Sequence, residues 1–311
     1  MTLYVSISID YSFMSIYSQI SYNKWKTYLI MSLFIVIFTG FFYIVGKYFG
    51  GGSGSFYVIL GLAISLGTSV YSYYNSDKLV LSTTHAKPAT REQFFDFYTV
   101  AENLSIAAGL PMPKLYVIDD PSPNAFATGR DPKHAVVCAT TGLLQIMDRA
   151  ELEGVIAHEL SHVKNYDILV STVTAVLVGT IALAADWIMR SLWWGGGRDD
   201  DRKRNPAMLI LLVVALILTP IIATLIQLAV SRRREYLADA SGALLTRYPA
   251  GLASALQKIA AYPKGVSTAT TSTAHLFISN PLKDRRTMSW LTNLFSTHPP
   301  VEQRIKILQN M

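Results

Sequence analysis

The chain has 311 residues, of which 51% are hydrophobic and only 15% charged, with a formal net charge of +6 and a single cysteine. So few charges beside so much apolar material exclude an ordinary water-soluble fold over the whole length and point to a membrane. The lone Cys138 excludes an intrachain disulfide, which fits a reducing compartment. Lys24, Lys26, Lys78 and Arg232 to Arg234 flank apolar runs. That placement suits anionic lipid headgroups and gives no reason to expect nucleic acid as a partner.

Residues 1–26 are polar and aromatic without a clear period and read as an N-terminal leader with no assigned fold. Thr27 to Gly46 and Ser55 to Tyr74 follow, each uncharged and each reaching the roughly 20 residues that a helix needs to cross a bilayer. The first is too long for the apolar stretch of a cleaved signal peptide, about 7–15 residues. The flexible Gly50 to Gly54 makes the two runs an antiparallel transmembrane hairpin over residues 27–76.

Residues 77–167 have the composition of a soluble domain. A helix is expected around Arg91 to Ala108, stopped by Gly109 and Pro111. Lys114 to Asp119 and His134 to Ala139 read as strands of a small antiparallel sheet, separated by the turn-rich Pro121 to Pro123 and Gly129 to Pro132. A further helix runs from Arg149 toward Asn165. Ile168 to Ala185 and Ala207 to Val230 then form a second hairpin within residues 168–230, interrupted by Gly195 to Gly197 and the mixed charges of Arg198 to Arg204. Residues 231–311 are polar again, with helices expected at Arg232 to Leu245, near Gly251 to Ala261, and after Pro300. The sum is a mainly α membrane protein with about four transmembrane helices, whose two polar segments, 77–167 and 231–311, build one catalytic domain.

His158-Glu159-Leu160-Ser161-His162 lies on the expected helix. Residues four apart share a helical face, so both imidazoles can meet one metal while Glu159 leans toward the same place as a general base. A catalytic zinc takes three protein ligands and keeps one position open. Glu235, which begins Glu235-Tyr236-Leu237-Ala238-Asp239, is the best candidate for the third, with Asp239 one turn on to accept the second ring N–H of a ligand histidine. Taken alone, the two acids read as a solvated pair balancing Arg232 to Arg234; the His-Glu-x-x-His helix favours the ligand reading. His85, His134 and His275 have no partner at ligand spacing and read as loop or surface residues. An extended peptide substrate is expected to add as a strand to a sheet edge in the region Asn124 to Ala139.

The two helical motifs come with Asn124 to Arg130, Thr140 to Leu144, and Thr297-His298-Pro299-Pro300 followed by Glu302 and Arg304. This ordered set resembles the HtpX membrane zinc metallopeptidases, relatives of the type I CAAX prenyl endopeptidase, from about residue 17 to 309. The first dozen residues depart from the pattern. The resemblance implies a zincin-like α+β domain facing the cytoplasm from the cell membrane, and one Zn2+ per chain held by His158, His162 and Glu235. It implies Glu159 as base and Asp239 behind a ligand. His298 and Arg304 match positions near the active site and are candidate oxyanion donors. The implied activity is endopeptidase cleavage of damaged or misfolded membrane proteins, with peptide substrates and the lipid bilayer as partners. A zinc-binding or chaperone-like membrane protein without catalysis, and a metal-dependent hydrolase acting on lipid or another non-peptide, are the readings it competes with.

Overall fold

The computed structural model describes residues 16–49, 54–194, 225, 231–282 and 299–311. Its first element, α1 (Ile16–Phe49), starts well before Thr27, so residues 16–26 of the expected leader are its opening turns. That stretch contains neither glycine nor proline, and Asn23, Lys26 and Thr27 are buried on it. Packing therefore extends the helix beyond the apolar run that announces it.

α1, α2 (Gly54–Thr83) and α6 (Asp167–Trp194) pack on one another. They contain the candidate membrane spans among the described residues, Ser18–Lys47, Ser55–Thr83 and Asp167–Asp186. Phe34, Phe38 and Phe41 of α1 bury against Leu169, Val173, Leu177 and Ile181 of α6, and Leu225 joins this cluster. The rest of the fourth apolar run, Ala207 to Val230, lies outside the described residues.

The polar part begins with β1 (Lys87–Pro88) and α3 (Phe95–Ala108). As expected, α3 stops at Gly109, which is left-handed (φ 67°), so that the N–H groups of Gly109 and Leu110 donate to Ile106 O and Ser105 O. Then come β2 (Lys114–Ile118), β3 (Ala125–Thr128), β4 (Val136–Thr140), α4 (Thr141–Ile146) and α5 (Arg149–Lys164). After the membrane segment follow α7 (Arg232–Thr246), α8 (Pro249–Ala261) and α9 (Val301–Gln309).

The sheet corrects one expectation. Its order is β1-β2-β4-β3, with β2 and β4 parallel and both edge pairings antiparallel, so it is mixed. The reason is β3: the segment from Ala125 to Thr128 is itself a strand, and its reversal into β4 turns β4 to run with β2. Period-2 alternation then sorts the side chains. Leu115, Val117, Ala125, Ala127, Val137 and Ala139 face the helical core around α5. Ile118, Phe126 and Cys138 face Phe277, Val80 of α2 and Ala175 of α6.

α5 is the hub, with eleven buried residues and neighbours on every side. A capping box starts it: Asp148 accepts from Glu151 N, and Glu151 accepts from Asp148 N. Ser254 and Lys258 of α8 donate to the same Glu151 carboxylate, both at 2.6 Å. The apolar core thus fixes where α5 lies, and the polar cap fixes where it begins.

A candidate metal centre between α5 and α7

One turn of α5 separates His158 from His162, and their Nε2 atoms stand 3.2 Å apart with the rings near perpendicular. From α7, Glu235 brings Oε2 to 3.8 Å from His158 Nε2 and Oε1 to 3.6 Å from His162 Nε2. One ligand atom from each of the three lies within 4.8 Å of the others. α7 comes this close because position 242 is glycine: a Cβ there would meet His158 N at 3.1 Å.

The other nitrogen of each ring is fixed by a carboxylate. His158 Nδ1 lies 2.9 Å from Asp239 Oδ1, and His162 Nδ1 lies 3.0 Å from Asp167 Oδ2. Donation at Nδ1 leaves each neutral ring with its lone pair at Nε2. Two lone pairs and a carboxylate directed at one point repel one another unless a cation lies between them, so the donor set fits a metal. The electrostatics agree. Burial alone would lower the His162 pKa, yet Asp167 and Glu235 outweigh it and push it up to about 9, the mark of a field that attracts positive charge. His158 is lowered, chiefly by burial.

Glu159, 2% exposed, accepts from the backbone N–H of Ala127 on β3 and lines a cleft with Ala127, His162, Glu235, His275 and Leu276. Burial, with the Glu235 charge adding to it, pushes its carboxyl up to about 7 against the pull of His162 and Arg304.

The remaining expected residues fall in three places. Arg304 is 2% exposed and does not line the cleft. Its Nε and Nη2 hold Asp239 in a bidentate pair at 2.8 and 2.7 Å, Nη1 donates to Ile278 O at 2.9 Å, and Nη1 lies 3.6 Å from Glu235 Oε2. Asn124 precedes β3, donating to Ser279 O at 3.0 Å and accepting from Ala125 N, away from the metal cluster. Ala127, on β3 itself, does line the cleft beside it. His298 lies outside the described residues.

Two residues were not legible as part of the site. Asp167 follows a left-handed Tyr166 (φ 60°) that turns the chain between α5 and α6 and aims the carboxylate back at His162. An acid five residues past the second histidine was the available signal. His275, expected in a surface loop, is 5% exposed and forms part of the cleft wall, its Nε2 3.0 Å from Ser171 O. Phe277, stacked edge-on against Phe126 at 5.0 Å, draws that segment onto the sheet.

Peptidase family M48 matches residues 91–311, which contain all of these groups. The chain belongs to peptidase family M48. The Protease HtpX homolog of Dictyoglomus thermophilum is 47% identical over 295 residues, covering 95% of this chain and 94% of that protein. The Protease HtpX homolog of Tropheryma whipplei is 48% identical over 296 residues, covering 95% and 98%. Among solved structures, S. mikatae Ste24p aligns with 91% of this chain and 66% of its own at 19% identity, with a TM-score of 0.47. This M48 chain, with its apolar helices, is a membrane metalloendopeptidase.

Proposed function

We propose that the chain is a zinc-dependent endopeptidase that cleaves misfolded or damaged membrane proteins from the cytoplasmic face. The observation that carries the reading is the convergence of His158 Nε2, His162 Nε2 and Glu235 beside the buried Glu159. Ligand atoms on a tetrahedral zinc with bonds of ~2.0–2.1 Å stand roughly 3.3 Å apart, and the 3.2, 3.6 and 3.8 Å separations suit that ion.

Bound there, zinc would supply Lewis acidity, polarising a peptide carbonyl and lowering the pKa of a water. Glu159 takes the proton of that water on its carboxylate and returns it to the departing amine nitrogen. Asp239 and Asp167 hold the Nδ1 hydrogens of the two histidines, and Arg304 holds Asp239, which makes Arg304 a positioning residue. His298 remains the proposed oxyanion donor. The edge of β3 at Ala127, which lines the cleft beside Glu159, is the place where an extended substrate would lie.

Parity and flanking charge support the side of the membrane. His162 precedes α6, and Glu235 follows the fourth apolar run, so one site holds both only if that stretch returns the chain to the face it left. Lys24, Lys78 and Arg232 to Arg234 then share that face, which the positive-inside rule makes the cytoplasm.

Cleavage of an unfolded protein by the purified chain in detergent tests the reading. Proteolysis abolished by a chelator and restored by Zn2+ is the expected result. Zinc binding with no peptide-bond cleavage would instead support the non-catalytic alternative.

A further inference from the structure

Asp167 is the point at which the membrane helices meet the metal centre. Its Oδ2 lies 3.0 Å from His162 Nδ1, while Oδ1 accepts from Arg234 Nη1 at 3.0 Å and from Asn23 Nδ2 at 2.8 Å. The carboxylate, first residue of α6, thus joins α5, α7 and α1. Asn23 is 3% exposed and stands on the part of α1 that precedes the apolar run. Its amide also donates to Asn165 O at 2.8 Å, the carbonyl at the C-cap of α5. Beside it, the Lys24 ammonium sits 4.6 Å above the ring of Tyr166, the left-handed residue of the turn. Thr27 Oγ1 closes the set by donating to Asn23 O.

We propose that Asn23 is a positioning residue of the metal centre, through which docking of the first membrane helix sets metal affinity. The inference rests on the reading that His158, His162 and Glu235 hold zinc. An arginine left alone with a carboxylate frequently takes both oxygens in a bidentate fork. Asn23 prevents this: with Asn23 and Arg234 sharing Oδ1, Oδ2 is kept for His162. An amide suits the role because its two hydrogens reach Asp167 and Asn165 together, which a carboxylate or a hydroxyl cannot do. Without Asn23 the carboxylate turns toward Arg234, and His162 loses the acceptor that orients its ring and raises its basicity as a ligand. Asn165 O, at the end of the helix that carries both histidines, loses a donor at the same time.

The test uses the full chain in detergent and measures Zn2+ affinity by competition with a chelator. Asn23→Leu keeps the branching at Cγ, suits a helix and removes both hydrogens; it is expected to weaken Zn2+ binding about 3- to 10-fold, the scale of one hydrogen bond to a charged group passed on through a ligand's partner. Asn23→Ser, with one hydrogen left, is expected to lose less. Phe34→Leu, a packing defect on the same helix against α6, is expected to lower the thermal midpoint while leaving affinity within about 2-fold. In an Asp167→Asn background, Asn23→Leu is expected to add almost no further loss, because its route to His162 is already gone. Equal affinity for wild type and Asn23→Leu, a fully additive loss in the Asp167→Asn background, or an equal loss from Phe34→Leu would each overturn the inference while leaving the zinc reading intact. Failure of the wild type to bind Zn2+ would overturn the zinc reading and this inference with it.

Discussion

Asp239 stands between two groups that need it for different reasons: its Oδ1 lies 2.9 Å from Nδ1 of His158 and 2.7 Å from Nη2 of Arg304. The arginine outweighs the burial that would otherwise raise the carboxyl, and keeps its pKa below the usual range. Asp239 is therefore an anion at neutral pH and a strong acceptor for the imidazole. Asp239→Ala is expected to weaken Zn2+ affinity by about 10- to 100-fold. Chelator competition measures it, and an unchanged affinity would return Asp239 to a role in stability alone.

Arg304→Gln asks what the arginine does. A positioning role predicts lost Zn2+ affinity and lost activity in step, since Asp239 would no longer be held. A fall in kcat with zinc affinity unchanged would instead mean that Arg304 acts on the reacting groups directly.

Glu151 offers a test of the scaffold away from the metal. Burial opposes its ionisation, but the Lys258 ammonium, the Ser254 hydroxyl and the Asp148 N–H outweigh it and lower its pKa. A folded-state pKa below the unfolded value of about 4.3 gives stability that is present above that value and lost as pH falls through the folded one. Glu151→Gln is expected to cost about 1–3 kcal/mol at pH 7. The gap in thermal midpoint between variant and wild type should close as pH drops below about 4. A gap independent of pH would mean that the cap acts by shape and not by charge.

How far the site could be read in advance depended on whether its parts share a short stretch of chain. His158, Glu159 and His162 lie within one helical turn of sequence, so helical spacing suggested that group, and Glu235 with Asp239, within another turn, became candidates beside it. Asp167 lies beyond the Tyr166 turn, where the helical spacing of α5 no longer applies, and Asn23 and His275 are far from the motifs in sequence: Asn23 and Asp167 are 144 positions apart. No period in the sequence announces such a pair. The same limit misread the sheet. Lys114 to Asp119 and His134 to Ala139 carry the strand pattern plainly, but their parallel pairing depends on β3, whose Asn124-Ala125-Phe126-Ala127-Thr128 has small residues where β-branched ones would have marked a strand.

Orientation is tested by single cysteines in a Cys138→Ser background. Cys138 is fully buried in β4, with burial raising its thiol pKa, and its replacement leaves each introduced cysteine as the chain's single thiol. A cytoplasmic catalytic domain predicts that an impermeant reagent applied to intact cells labels a cysteine at Gly52, between α1 and α2, and spares one at the exposed Lys264. Labelling at 264 would place the domain on the other side.

Glu159→Gln tests the central claim most directly, because it removes the base and leaves His158, His162 and Glu235 in place. The variant is expected to bind one Zn2+ per chain with wild-type affinity, by metal analysis and chelator competition, while cleavage of casein falls below detection. Retained proteolysis would contradict the assignment of Glu159 as the base, and loss of zinc together with activity would make Glu159 part of the metal site instead.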